Sequence, residues 1–123
     1  MPQAALLPVV LIVEDEPLLR LSATSMIEEA GFDTLVARSA DEAIAFLETD
    51  ARIGIVFADI NLPGSMDGLR LAAVVRNRWP PVELLLTSGR IVVNSNDLPE
   101  RGRFLPKPYS TVQLVHALQS FAA

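Results

Sequence analysis

Apolar runs of strand length alternate with stretches of helical period along the whole chain, and this alternation constrains the fold more than any other feature. The runs are Val9-Val10-Leu11-Ile12-Val13, Thr34-Leu35-Val36-Ala37, Ile53-Gly54-Ile55-Val56-Phe57, Leu84-Leu85-Leu86 and the short Arg103-Phe104-Leu105. Several are apolar on successive residues, as strands buried on both faces of a parallel sheet require. Between them Leu19/Ala23/Met26/Ile27/Ala30, Ala40/Ala43/Ile44/Leu47, Leu71/Ala72/Val75 and Leu114/Val115/Leu118/Ala122 repeat at helical spacing, so each helix has one face to bury. Gly31 is placed to end the first helix, Ser39 to cap the second, and Ser110 or Thr111 to cap the last. The pattern predicts an α/β fold, a doubly wound five-stranded parallel sheet. In such a sheet the functional site lies at the carboxyl ends of the strands, near the point where strand order reverses.

With 123 residues, the chain is expected to form one domain over 1–123. Half the residues are hydrophobic and 20% are charged, enough apolar side chain for a core. The net charge of −5 has the wrong sign for a protein that holds nucleic acid through phosphate contacts, so no direct nucleic-acid partner is expected. Zero Cys excludes disulfides, thiolate metal sites and thiol catalysis, and a single His excludes a multi-histidine metal site. No Lys or Arg precedes the apolar run Ala4 to Val13, and that run is shorter than the roughly 20 residues a bilayer span needs. A cytoplasmic protein with no membrane partner is the expectation.

The polar residues at the strand ends carry the chemistry. The first run ends in Glu14-Asp15-Glu16, the third in Asp59, the fourth in Thr87-Ser88, and the fifth leads into Lys107-Pro108. Two like charges about 4 Å apart repel by about 4 kcal/mol at an effective dielectric near 20, and one Lys cannot neutralise three carboxylates. The deficit calls for a cation, and all-oxygen donors favour Mg²⁺ or Mn²⁺ over zinc. Since Mg²⁺ characteristically pairs one or two carboxylates with waters and a phosphate oxygen, the set suits phosphoryl chemistry. A carboxylate can itself be the nucleophile, while metal, ammonium and hydroxyl neutralise the phosphoryl oxygens.

The segments LIVEDE, FADINLPGSMDG, LLLTSG and FLPKPY, in this order and at these strand ends, make the chain resemble a receiver domain of two-component response regulators. The resemblance implies that Asp59 is the phosphoacceptor, that Glu14 and Asp15 are metal acids, and that Lys107 binds the phosphoryl group. It also implies the backbone carbonyl of Asn61 as a third protein ligand to the metal, and Phe104 as an aromatic switch. The implied phosphodonor is a histidine kinase or histidine phosphotransfer protein, and the implied output surface is that of the fourth helix, fifth strand and last helix. Pro63 to Gly68 carries one residue more than the family loop, a change expected to shift the loop but not the metal ligands. Both Thr87 and Ser88 stand before a small residue, as the phosphate-binding hydroxyl does. Strand alternation counted from Val82-Glu83 favours Ser88 and sends Thr87 to the other face.

Simpler roles stand beside these. Glu16 suffices as a helix cap, Lys107 as a loop lysine, Phe104 as an edge hydrophobe and His116 as an exposed helix residue. An enzymatic alternative, a Mg²⁺-dependent phosphatase or phosphotransferase of the haloacid dehalogenase kind, needs Asp-x-Asp after the first strand, where this chain has Glu14-Asp15. A flavodoxin-like nucleotide binder needs a Gly-rich loop at that point. One element is expected to be weak. Val92-Val93 are β-branched, Asn94, Ser95 and Asn96 favour caps and turns, and Gly102 ends any helix, so residues 90–102 should hold at most a short helical turn around Asp97-Leu98-Pro99-Glu100.

Overall fold

A computed structural model describes residues 7–91 and 93–122. The start of the Ala4–Val13 run and Val92 lie outside the described residues. The elements follow the order β1 (Val9–Val13), α1 (Pro17–Glu29), β2 (Thr34–Ala37), α2 (Ala40–Thr49), β3 (Ile53–Asp59), α3 (Gly68–Arg78), β4 (Glu83–Ser88), a 3-10 turn at Ser95–Asp97, β5 (Arg103–Pro106) and α4 (Thr111–Ala122). All strand pairs are parallel, in the order β2-β1-β3-β4-β5. The doubly wound five-stranded sheet is therefore present, and the fourth crossover carries a three-residue turn in place of a helix; the turn is Ser95–Asp97, without a side-chain cap, and not the expected Asp97–Glu100 turn capped by Asp97.

Every residue of β1 is buried, and its successive side chains divide between two cores. Val9, Leu11 and Val13 join Ala43 and Leu47 of α2 and Leu71, Ala72 and Val75 of α3. Val10 and Ile12 join Ala23 and Ile27 of α1 and Leu114 and Leu118 of α4. A run that is apolar at every position is thus a strand with period two facing helices on both sides. Leu19 departs from the expected buried face of α1: it is 42% exposed, because it sits on the first turn at the carboxyl edge of the sheet rather than over β1.

The helix ends follow their local chemistry. The Glu16 carboxylate accepts the Leu19 amide at 2.9 Å, and the Ser39 hydroxyl accepts that of Glu42. Ser110 and Gln113 cap each other at the start of α4, and Gly31 follows α1 with φ +98°. Asp67, which the sequence reading did not single out, caps α3 by accepting the Arg70 amide at 2.8 Å. In the loop before it, Gly64 turns the chain with φ +95°.

Candidate functional site

Strand order reverses between β1 and β3, and the carboxyl ends of these two strands bring Glu14 and Asp59 together. Register decides which side chains join them. Asp59 pairs with Thr87 on β4, and Thr87 pairs with Leu105 on β5. Leu105 packs into the α1/α4 core with Phe57, so Asp59, Thr87 and, by alternation past Leu105, Lys107 share that parity. Lys107 Nζ donates to Asp59 Oδ2 at 2.7 Å and to Glu14 Oε1 at 3.1 Å. Glu14 is 6% exposed and Asp59 8%. The remaining oxygens of both are held by backbone: the Asn61 amide donates to Asp59 Oδ1 at 2.9 Å, and the Glu16 amide to Glu14 Oε2 at 3.2 Å.

The loop that presents Asp59 depends on Gly68. A Cβ there would lie 2.3 Å from the Asp59 carbonyl oxygen and 2.6 Å from Ile60 Cα, so only glycine lets α3 begin against the end of β3. The Gly68 amide closes the loop by donating to the Ile60 carbonyl at 2.8 Å. Across the site, Arg20 of α1 donates from Nη1 to the Glu14 carbonyl at 3.1 Å and the Asp15 carbonyl at 3.4 Å. This second residue, also absent from the sequence reading, fixes the acidic turn through backbone oxygens, which no side-chain pattern announces.

The electrostatics follow from burial and pairing. Burial pushes the Glu14 carboxyl up, the Asp59 charge adds to this, and the Glu16 amide and Lys107 oppose it. Burial alone works against the Lys107 ammonium, yet its hydrogen bonds to Asp59 and Glu14 outweigh that and raise its pKa. Tyr109, whose ring meets Phe57 edge-on at 5.7 Å, is raised by burial.

The two hydroxyls separate. Alternation between Thr87 and Ser88 holds, but the parity of Asp59 belongs to Thr87, not to the favoured Ser88. Among the described residues, Thr87 Oγ1 is buried with no hydrogen-bond partner. Ser88 Oγ is already engaged: it accepts from Asn61 Nδ2 at 2.8 Å and from the Arg90 and Ile91 amides at 3.1 and 3.2 Å. Phe104 pairs with Leu86 on the opposite face and packs, half-buried, against the α2/α3 core. His116 is exposed on α4, apart from these residues.

A cleft of about 350 Å³ opens over the pair and is lined by Glu14, Asp15, Asp59, Asn61, Arg90 and Lys107, among others. Asp15 is exposed on its rim and, among the described residues, has no ion-pair partner. No three acidic side chains among the described residues stand close enough to cage an ion unaided. An open, all-oxygen donor set with one unpaired carboxylate fits Mg²⁺ or Mn²⁺, which keep several waters, and does not fit a closed structural metal. Among the described residues no helix is long and apolar enough to cross a membrane.

Comparison with known proteins agrees with this geometry. The response regulator receiver domain matches residues 10–119. The nitrogen assimilation regulatory protein NtrX of Azorhizobium caulinodans is 33% identical over 86% of this chain and 24% of its own length. The transcriptional regulatory protein AruR of Pseudomonas aeruginosa is 39% identical over 70% of this chain and 36% of its own length. This chain thus spans about a quarter to a third of these relatives. Among solved structures, a response regulator receiver protein from Sinorhizobium medicae superposes with a TM-score of 0.86 at 28% identity, covering 94% of each chain. One from Pseudomonas putida gives 0.84 at 26% identity over 95% of this chain and 99% of its own. With its strand order, its acid and lysine edge and a match over nearly all its length, the chain belongs to the response regulator receiver domain family of two-component signalling.

Proposed function

We propose that residues 1–123 act as one receiver unit that takes a phosphoryl group onto Asp59 from a histidine kinase or histidine phosphotransfer protein and signals through protein contacts. The observation that carries this is the Lys107 ammonium set 2.7 Å from Asp59 Oδ2 at the switch point of the sheet. Asp59 Oδ attacks phosphorus, the bond from phosphorus to the donor breaks, and the leaving group departs with the electron pair. Lys107 moves its contact from the carboxylate to a phosphoryl oxygen, and Thr87, unpartnered and in register with Asp59, donates to a second. Glu14, Asp15, Asp59 and the Asn61 carbonyl are the residues to hold Mg²⁺ or Mn²⁺, which when bound supplies positive charge at the phosphoryl group. The chain then catalyses only its own phosphorylation and dephosphorylation, as a cytoplasmic signalling protein.

Acetyl phosphate with Mg²⁺ should add one acid-labile phosphoryl group, read by intact mass spectrometry, and Asp59→Asn should abolish it. Equal labelling of the two proteins would overturn the assignment. Phosphotransfer from the host's histidine kinases, assayed one by one, identifies the donor.

A further inference from the structure

The cleft over Asp59 holds a second cation that none of the roles above uses. Lys107 lies deep, with its side chain 17% exposed and both carboxylate contacts made. Arg90 is exposed, lines the same cleft, and also lines an adjoining one of about 450 Å³ with Asp15, Asn61 and Asp67. Its backbone is fixed, since its amide donates to Ser88 Oγ at 3.1 Å, and Ser88 is tied through Asn61 to the loop after Asp59. Among the described residues Arg90 makes no ion pair. An in-line displacement at Asp59 puts the entering oxygen at the floor and the leaving group at the mouth. Lys107 contacts Asp59 at the floor, and Arg90 is an exposed lining residue of the same cleft.

On the phosphoacceptor reading above, on which this rests, we propose that Arg90 selects among phosphodonors by stabilising a negatively charged leaving group at the mouth of the cleft. With an acyl phosphate, the bond from Asp59 Oδ to phosphorus forms as the phosphorus–oxygen bond to the acyl group breaks. The carboxylate leaves with the electron pair, so charge develops where a guanidinium can meet it. With phosphoramidate or a protonated phosphohistidine, the nitrogen already carries its proton, the phosphorus–nitrogen bond breaks and a neutral amine or imidazole leaves. Arg90 then has no new charge to stabilise. Arg90 thus tunes the domain toward acyl phosphates such as acetyl phosphate without governing transfer from histidine.

The test is the rate of Asp59 phosphorylation by acetyl phosphate and by phosphoramidate in wild type, Arg90→Gln and Arg90→Lys, followed by intact mass at low and high salt. Arg90→Gln should slow acetyl phosphate about fivefold, with Arg90→Lys intermediate and the difference shrinking in high salt, while phosphoramidate changes less than about twofold. An equal loss with both donors would mean a general effect on the cleft and would overturn the proposal, as would no loss with either. Absence of labelling in the wild type with both donors would overturn the phosphoacceptor reading itself. Loss with acetyl phosphate alone requires that reading to hold.

Discussion

The connections on either side of β4 cover the same face of the sheet by different means. From β3 to β4 the chain forms α3, an 11-residue helix that buries Leu71, Ala72 and Val75 completely and satisfies its own backbone. From β4 to β5 the described residues form one 3-10 turn, and the apolar side chains they lay on that core, Val93 and Leu98, are only half-buried. This second connection is tied to α3 and to the start of β4 by two arginines, Arg76 from α3 and its own Arg101. Arg76 of α3 donates to the carbonyls of Glu100, Pro80 and Val82 at 2.7, 2.7 and 2.8 Å. Arg101 donates to Glu83 Oε1 at 2.9 Å and to the Pro80 carbonyl. A crossover closed by packing resists rearrangement, whereas one closed by a few polar ties rearranges at low cost, which suits the segment that follows the Thr87-Ser88 end of β4.

The largest difference should appear on truncating one apolar anchor in each connection. Leu71→Ala should cost about 3 kcal/mol or more, and Leu98→Ala about 1 kcal/mol, measured by urea denaturation. Equal losses would mean that the irregular connection is packed as firmly as the helix. Arg76→Ala should cost about 1 to 2 kcal/mol through its carbonyl contacts. It should also speed amide exchange around Leu98 and Gly102 while leaving the amides of β1 protected. Beryllofluoride bound at Asp59 should change protection over 93–102 more than within α3; a reversed order would remove the argument for a labile crossover.

The weakness of this crossover was legible in advance because it is local. Asn94, Ser95 and Asn96 disfavour helix whatever surrounds them, and Gly102 closes the segment. The strands, the four helices and the acid and lysine edge were legible for the same reason, since period and strand-end position are properties of neighbouring residues. What could not be read was register. Thr87 and Ser88 alternate in any strand, but which of them shares the side of Asp59 depends on β3 and β4 pairing Asp59 with Thr87. Counting from Val82-Glu83 measures distance along one strand and says nothing about the phase of its neighbour. Arg20 and Arg76 escaped for a related reason: each acts on carbonyl oxygens of another segment, a contact that leaves no trace in side-chain spacing.

The edge that holds Glu14 and Asp59, which both connections share, should respond to pH with a defined sign. Burial raises the Glu14 carboxyl above its ordinary value of 4.5 in the folded state, so the native protein keeps a proton that the unfolded chain has released. That contribution to stability is full below the unfolded value and is lost as pH climbs through the raised one. Glu14→Gln has no such loss. In EDTA, its melting temperature relative to wild type should therefore rise as pH climbs above about 4.5, and level off once Glu14 is ionised in the folded state as well. A flat difference would show that Lys107 offsets burial completely.

The smallest effects separate the two kinds of tie made by Arg101. Its ion pair with Glu83 is half-exposed, with side-chain exposures of 47% and 25%, so Glu83→Gln should cost no more than about 0.5 kcal/mol and less still in high salt. The backbone of Arg101 sits at φ +63°, a left-handed conformation that costs a side-chain-bearing residue about 1 kcal/mol and glycine almost nothing. Arg101→Ala gives up the guanidinium contacts and keeps that strain, whereas Arg101→Gly gives up the contacts and relieves it. The glycine variant should therefore be the more stable of the two by about 1 kcal/mol, and close to wild type. If alanine and glycine melt together, the turn does not hold its left-handed residue in solution. Should both fall well below wild type while Glu83→Gln does not, the tie that matters is the one to the Pro80 carbonyl, and the irregular crossover is secured by backbone contacts rather than by charge.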